Sequence, residues 1–426
     1  MIKKIQSIRG MKDYLPEELK IWKITEDILK NVFKNYGYLE IRLPILEKTQ
    51  LFYKSIGNVT DIVEKEMYTF FDRNQKNLTL RPEGTASCSR AFIENNLIKD
   101  IKQRFWYFGP MFRYERPQKG RFRQFYQFGC EVYGLKNPEI DLELIILLNR
   151  CWNNLNIDKE IFLEINSIGN LKSRENYKID FIKFLTLNKN KLDENSKLRL
   201  HTNPLRILDS KNKNTQILLK NAPVLLDYLD ECSKNNFNFL CKFMKKLNIS
   251  YKINKKLIRG LDYYNDIVFE WKTKNNKLGS QNTICAGGRY DTLINTLGGP
   301  SVPALGFAIG MERLILTMNK KKYKQTVLSV DIYIISNLDK TSTFYIKVSE
   351  KIRNFFNKLY ILQDFNMGSI KKKIIRAQKF QSKVIIILNN KNTKKNIQIK
   401  YINSKIFKKI SFNKIIKNLK FYFKKK

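Results

Sequence analysis

Five short segments of this 426-residue chain carry side chains suited to holding anions beside a small polar molecule. Arg259-Gly260-Leu261-Asp262-Tyr263-Tyr264-Asn265 sets one arginine and two adjacent tyrosines around a glycine turn where a strand is expected to begin. Phe112-Arg113-Tyr114-Glu115 spaces an arginine and an acid by two, and Thr79-Leu80-Arg81-Pro82-Glu83-Gly84-Thr85 places an acid and a hydroxyl about a glycine. Ala286-Gly287-Gly288-Arg289-Tyr290-Asp291 and Gly306-Phe307-Ala308-Ile309-Gly310-Met311-Glu312-Arg313-Leu314 follow. A guanidinium keeps its charge and binds a carboxylate or phosphate through two parallel hydrogen bonds, so arginines are the side chains to expect where two anions are held together. Each segment alone has a plainer reading. Arg-x-Glu is a common surface salt bridge, and Gly287-Gly288-Arg289-Tyr290 fits a bulged strand edge.

In this order and spacing, together with Ile8-Arg9-Gly10-Met11-Lys12-Asp13-Tyr14-Leu15-Pro16, the segments resemble histidyl-tRNA synthetase of the bacterial type, a class II aminoacyl-tRNA synthetase family, over essentially the whole chain. That resemblance implies a reaction joining a carboxylate to the α-phosphate of ATP. Negative charge then builds on a pentavalent phosphorus, and fixed cations stabilise it. It implies that Arg113 grips the α-phosphate, Glu115 reads the adenine amino group, Phe125 stacks on the base, and Arg121 with Arg313 holds the outer phosphates. Arg259 bridges the substrate carboxylate and the α-phosphate, work done by a second metal ion elsewhere in the class; with Arg113 it forms the implied catalytic pair. Glu83 and Thr85 meet the ammonium group, Gln127 lies beside the carboxylate, Glu131 with Tyr264 takes the imidazole, Tyr263 packs nearby and Tyr290 closes the pocket. A neutral imidazole has one donor and one acceptor, so an acidic acceptor and a phenol donor satisfy both and reject apolar analogues.

The loop Arg116-Pro117-Gln118-Lys119-Gly120-Arg121-Phe122-Arg123 resembles the one that meets the tRNA acceptor end, with Arg116, Gln118 and Arg123 at that surface. ATP as substrate, Mg2+, L-histidine, tRNA(His) and a homodimer are implied with it. Glu312 is open between a magnesium ligand and a solvated helix face. Tyr114 and Tyr126 stand where relatives often carry histidine, and Asn389-Asn390 ends a strand where an acid is usual. Two rival readings stand beside this one. A non-catalytic, synthetase-like regulatory subunit of histidine biosynthesis usually lacks the C-terminal domain and an intact Arg259 segment, both present here. A class II synthetase for another amino acid is opposed by Glu131 with Tyr264 and by the lack of zinc ligands.

Several elements must position these groups. Pro16 opens a run with Ile21, Ile24, Ile28, Val32 and Phe33 at helical spacing, closed by Gly37. Residues 38–44 alternate as a strand stopped by Pro44 and resemble the segment that builds the class II dimer interface. Strands at 67–71 and 78–81 flank a polar turn, and others at 104–108, 111–115 and 122–133 suggest a mostly antiparallel sheet. From about 171 to 252 the text is helical and asparagine-rich, as in an insertion. After Lys320-Lys321-Lys322, a strand–helix–strand alternation runs from Val330 to Leu388. The expected fold class is α+β: a class II catalytic domain over 1–325 on an antiparallel sheet, its helical insertion at 171–252, then an α/β anticodon-binding domain over 326–426.

Composition bounds the rest. The net charge of +41 argues for a polyanionic partner. Residues 321–426 hold 27 Lys and Arg against 4 Asp and Glu, a balance of +23, whereas residues 1–320 hold 53 against 35, or +18. An AT-rich coding bias toward Lys, Asn, Ile, Phe and Tyr accounts for such an excess equally well. No apolar run approaches the ~20 residues of a membrane span, and the first residues lack the apolar core of a signal peptide; a cytoplasmic protein is expected. Six scattered cysteines without a Cys-x-x-Cys pair, and a single histidine, His201, in a polar turn, leave no structural zinc site to expect.

Overall fold

The computed structural model describes residues 4–57, 59–97, 103–274, 278, 282–318, 330–336, 343–388, 397–402, 404 and 406–423. The chain forms two compact units, Met1–Asn319 and Lys320–Lys426, so the division falls a few residues before the expected 325. The Lys320-Lys321-Lys322 linker and Asn389-Asn390 lie outside the described residues.

In the larger unit the helix Pro16–Asn35 starts with proline at its first position and Glu17 and Glu18 in its first turn, where a missing N–H costs nothing and acids meet the positive helix end. Its buried face is Trp22, Thr25, Leu29, Val32 and Phe33, rotated one residue from the expected Ile21, Ile24 and Ile28. Trp22 draws it round, packing against Tyr14 and Tyr126 with ring centroids 4.5 and 5.4 Å away.

The main sheet runs, edge to edge, Leu39–Glu40, Gln103–Phe112, Gln124–Tyr133, Ala304–Gly310, Thr283–Arg289, Asn265–Thr273, Ile161–Ser167 and Tyr251–Ile253. Its inner pairs are antiparallel, and a short strand lies parallel at each edge. Two expectations fail here. The strand expected over 38–44 is only Leu39–Glu40. The break expected at Gly109-Pro110 is absent, and Gln103–Phe112 is continuous. Pro110 is tolerated because the edge strand pairs only with Phe105 and Trp106, leaving the proline on an open edge where no N–H is needed. There its carbonyl accepts from Arg81 Nε at 3.0 Å. Arg81 also binds the carbonyls of Leu43 and Pro44, so this buried arginine ties backbone together rather than facing a ligand. The expected hairpin forms as Tyr68–Phe71 with Asn77–Leu80, joined by Leu46–Lys48 in a small sheet of its own.

Residues 171–246 are largely helical, whereas Tyr251 and Lys252, at the end of the range expected to be helical, already belong to the main-sheet strand Tyr251–Ile253. Leu171–Leu187, Glu194–Thr202, Lys213–Leu218 and Glu231–Lys246 each begin where Asn170, Asp193, Asn212 or Asp230 accepts a hydrogen bond from the first-turn backbone, which gives the asparagine-rich text a physical role. His201 lies exposed in the last turn of the second of these helices rather than in a loop. Tyr177, Phe181, Leu185 and Leu200 belong to one continuous core with Tyr107, Tyr133, Tyr263, Tyr264 and Tyr290 of the main body. Among the described residues no helix is long and apolar enough to cross a membrane.

The smaller unit is a five-stranded sheet in the order Ile361–Asp364, Ile332–Ser336, Val384–Leu388, Ile397–Tyr401 and Lys408–Ile410. Its first three strands are parallel and apolar on both faces. Ile332, Ile334, Val384 and Ile386 meet Val348, Ile352, Ile415 and Leu419 on one side, and Tyr333, Ile335, Ile385 and Ile387 meet Ala377 on the other. Two strands and a helix therefore follow Leu388, beyond the expected end of the alternation.

Candidate active site

One cavity of about 900 Å³ gathers the main-sheet strands, the helix Met311–Thr317 and the loop before Asn265–Thr273. Of the residues expected to hold histidine or ATP, Glu83, Thr85, Arg113, Glu115, Arg121, Phe125, Gln127, Arg259, Tyr263, Tyr264 and Arg313 all line it. Glu131 does not.

The cations are held in two ways. Arg113 Nε donates to the Pro82 carbonyl at 2.8 Å, and its guanidinium carbon lies 5.3 Å from the Phe125 ring centroid. Arg313 donates to the carbonyls of Gly120 at 3.0 Å and Thr283 at 2.9 Å. Neutral acceptors orient a guanidinium without cancelling its charge. Burial, then the neighbouring Arg121 and Arg113, pull Arg313 down to about 10, so it stays charged at neutral pH. Burial likewise draws Arg113 and Arg121 below the ordinary arginine range. Arg121 and Glu115 are themselves ion-paired, and Glu66 lies 3.6 Å from the same guanidinium. Arg259 is the contrast: it pairs with Glu270 and lies 5.6 Å from the Tyr264 ring centroid. Burial opposes its charge, but Glu270, Tyr264 and Tyr263 together outweigh that and Arg259 ends above its usual range. Glu270 also accepts from Thr283 Oγ1 at 2.9 Å and pairs with Lys272 at 3.1 Å, and Lys272 reaches Glu164 at 2.7 Å.

The opposite end is built from buried carboxyls held by N–H and O–H donors. Glu83 accepts from the backbone N–H of Thr85 at 2.7 Å and of Ala86 at 2.8 Å, capping the helix Thr85–Glu94, while burial raises its carboxyl. Tyr263 OH lies 3.5 Å from the same carboxylate. Behind this wall, fully buried Glu131 accepts from Thr85 Oγ1 at 2.7 Å, from Tyr107 OH at 3.0 Å and from Tyr290 OH. Two glycines make the room: Gly129 leaves space for the Tyr107 ring beside it, and Gly306, in register with Glu131, leaves space for the carboxylate. Burial pushes Glu131 up to about 8 against the pull of the three hydroxyls. Of the pair expected to face the imidazole, Tyr264 lines the cavity, whereas Glu131 lies behind it and is linked to it through Thr85. Tyr290 is spent on Glu131 rather than closing the pocket, and Arg289 of the same segment forms a buried ion pair with Asp141 at 2.6 Å. Gln127 Oε1 is buried without a protein partner among the described residues.

Glu312 is neither solvated nor converging with other acids. It accepts from Tyr14 OH at 2.7 Å and from the Tyr126 N–H at 2.9 Å, and burial raises it to about 7. Among the described residues no three His, Cys, Asp or Glu side chains come together as a metal would need.

Of the acceptor-end candidates, Gln118 and Arg121 bridge through their main chains around Lys119-Gly120, where Gly120 takes φ +73°. Arg116 is exposed. Arg123 is less free, with its guanidinium carbon 3.9 Å from the Tyr114 ring centroid and its N–H on the Gly10 carbonyl. Sequence reasoning passed over Tyr107, Glu270, Lys272 and Arg206. Tyr107, Lys272 and Glu270 are the cross-strand partners of Gly129, Thr283 and Ala286, a register that only the folded sheet supplies, whereas Arg206 needed the helical periodicity of the insertion.

A family described as histidyl-tRNA synthetase matches residues 10–314. A histidine–tRNA ligase of Buchnera aphidicola subsp. Schizaphis graminum (strain Sg) is 54% identical over 399 residues, 93% of this chain and 92% of that protein. The apo histidyl-tRNA synthetase of S. aureus superposes with a TM-score of 0.81 at 31% identity, over 98% of this chain and 100% of that one. A Bacillus halodurans C protein described as an ATP phosphoribosyltransferase regulatory subunit/histidyl-tRNA synthetase shares the fold alone, with a TM-score of 0.65, 18% identity and coverage of 92% and 100%. The 10–314 match takes in the cavity from Glu83 to Arg313, and the chain belongs to the histidyl-tRNA synthetase family, with a class II catalytic fold followed by a C-terminal α/β domain.

Proposed function

We propose that this protein is a histidine–tRNA ligase that activates L-histidine with ATP and passes it to the 3′-terminal adenosine of tRNA(His). One observation carries the reading. Arg113, Arg259 and Arg313 converge in one cavity, and among the described residues neither Arg113 nor Arg313 has a carboxylate within ion-pair distance, so positive charge is left for an anion. In the first step a carboxylate oxygen of histidine attacks the α-phosphorus, the bond to the β-phosphate oxygen breaks, and pyrophosphate leaves with the electron pair. Arg113 and Arg259 hold the α-phosphate and substrate carboxylate, and Arg313 with Arg121 holds the departing phosphates. Such preset donors are worth most where charge develops in a water-poor site. In the second step a ribose hydroxyl of the terminal adenosine displaces AMP from the histidyl carbonyl. No side-chain nucleophile is required.

At the other end Glu83 and Thr85 take the ammonium group, Gln127 lies beside the carboxylate, and Tyr263 and Tyr264 border the imidazole, with Glu131 fixing the hydroxyls around it. Phe125 stacks on the adenine beside Glu115, which must exchange Arg121 for the base. Arg116, Gln118 and Arg123 face the acceptor end, the basic C-terminal unit reads the anticodon, and Mg2+ arrives with the nucleotide. The protein works in the cytoplasm as a homodimer. The regulatory-subunit reading is disfavoured by the presence of Arg259 in the cavity and of the C-terminal unit. Pyrophosphate exchange measured with each of the twenty amino acids tests the proposal: exchange with L-histidine alone is expected, and exchange with another amino acid, or with none, defeats it.

A further inference from the structure

Three side chains of the insertion face the active-site loops. Arg199, Asn203 and Arg206, at i, i+4 and i+7, share one helical face although the helix Glu194–Thr202 ends between them and a tighter turn, Pro204–Asp209, follows. Arg199 Nη2 donates to both carboxylate oxygens of Asp61, at 3.1 and 3.0 Å. Asn203 Nδ2 donates to Asp262 at 3.2 Å. Arg206, largely buried, splits its fork: one nitrogen donates to the main-chain carbonyl of Arg259 at 3.1 Å, and the other lies 3.3 Å from Asp61. A side chain at Gly260 would press on that guanidinium at 3.0 Å, so the glycine lets arginine and loop approach. The loop is anchored from its far side as well, since Asp262 N–H donates to the Ile56 carbonyl at 3.0 Å.

We propose that Arg206 is a positioning residue for amino-acid activation, by which the helical insertion fixes the main chain that carries Arg259. The inference rests on the role proposed for Arg259. Glu270 orients the guanidinium, but the pair shares one long side chain with many rotamers, and only a fixed main chain makes the guanidinium's position definite. The contact goes to a carbonyl oxygen, so no other change at residue 259 can substitute for it. Asp61 ties the same guanidinium to the segment that continues into Ile62–Glu66, whose Glu66 carbonyl accepts from the Tyr114 N–H at 2.6 Å. The insertion thereby braces both the loop of Arg259 and the strand end after Arg113.

The test is single-turnover formation of histidyl-adenylate by the full-length protein and its Arg206→Gln, Arg259→Ala and doubly substituted forms. Arg206→Gln is expected to slow the step about 10- to 100-fold, because small misplacements of a catalytic group cost about that much, with the KM for ATP nearly unchanged. On the Arg259→Ala background it should cost nothing more, since a residue acting only through Arg259 has nothing left to position. Equal losses in both backgrounds, or no loss in the otherwise unchanged protein, overturn the inference. If Arg206→Gln does not melt cooperatively, Arg206→Met carries the same cycle, since it keeps the apolar stem and removes every donor to the Arg259 carbonyl. A parent protein that forms no histidyl-adenylate would overturn the functional reading instead, so the two failures are distinguishable.

Discussion

The two ends of the cavity solve opposite problems. At the cationic end Arg113 and Arg313 are oriented by main-chain carbonyls and keep net charge. At the other, Glu83 and Glu131 are surrounded by N–H and O–H donors until little unmet demand remains. Charge left unpaired in a buried place is costly, and it is tolerated where a ligand of opposite sign completes it. A finished network does no such pulling; it holds a shape. The cationic end should therefore govern the rate of the chemical step, and the other end the choice and grip of the substrate.

The largest effect expected is at Arg259. Arg259→Ala should slow adenylate formation more than ~100-fold, about 3 kcal/mol, while histidine still binds; a pre-steady-state rate like the parent's would break the comparison at its strongest point. Tyr264→Phe should instead raise the KM for histidine about 10-fold with little change in kcat, because one hydrogen bond to the substrate is lost in ground and transition states alike. A fall in kcat alone would erase the division between the ends.

A subtler effect concerns Glu131. Its folded-state carboxyl, pushed up to about 8 by burial, holds a proton that the unfolded chain has already lost above the ordinary glutamate range. Stability from this group is therefore present at low pH and falls as pH rises toward 8. The melting temperature of Glu131→Gln should gain on that of the parent between pH 5.5 and 8.5, by about 2–4 °C for each kcal/mol. A constant gap would mean that the three hydroxyls keep the carboxylate ionised throughout. The smallest effect separates cations aimed into a cavity from cations strewn along a chain end. Replacing Lys424, Lys425 and Lys426, which lie outside the described residues, with glutamine should leave the salt dependence of tRNA binding unchanged, since terminal lysines are commonly solvated. A slope flattened by up to about two units would show that they touch phosphates.

What could be read from the sequence depended on how local the cause was. That Arg113, Arg259 and Arg313 share one cavity was legible because their flanking segments resemble those of one family, though they lie far apart in the chain. The helical character of the insertion was legible as well, but not its helix starts, each of which is set by its own Asn or Asp. The burial of Glu131 was not legible. Gln127 and Glu131 lie on one face of one strand, four residues apart, and alternation tells the face but not the depth. The depth comes from Gly306 on the next strand, some 175 residues away, which leaves the space the carboxylate fills. The continuity of Gln103–Phe112 through Pro110 was hidden for a related reason: the cost of a proline depends on whether a neighbour needs its N–H, and the neighbour is the short strand at Leu39–Glu40. Arg206 needed both kinds of knowledge, a helical face from the sequence and a target loop from the fold.

The route of the insertion also bears on what an engineer could change. The chain leaves the main sheet after Ile161–Ser167 and returns as Tyr251–Ile253, hydrogen-bonded alongside the same strand. The two strands run parallel and Tyr251 pairs with Leu163, so the exit at Ser167 and the return at Tyr251 are offset by four residues, about 13 Å along the sheet. Lengthening or shortening a loop within this excursion leaves its two ends where the sheet holds them, and loop closure penalises added length only weakly. The turn at Lys189–Lys191 is exposed and could take a graft or fresh chain termini. The stretch from Arg199 to Arg206 could not, because there the excursion stops being a passenger and touches the loop of Arg259.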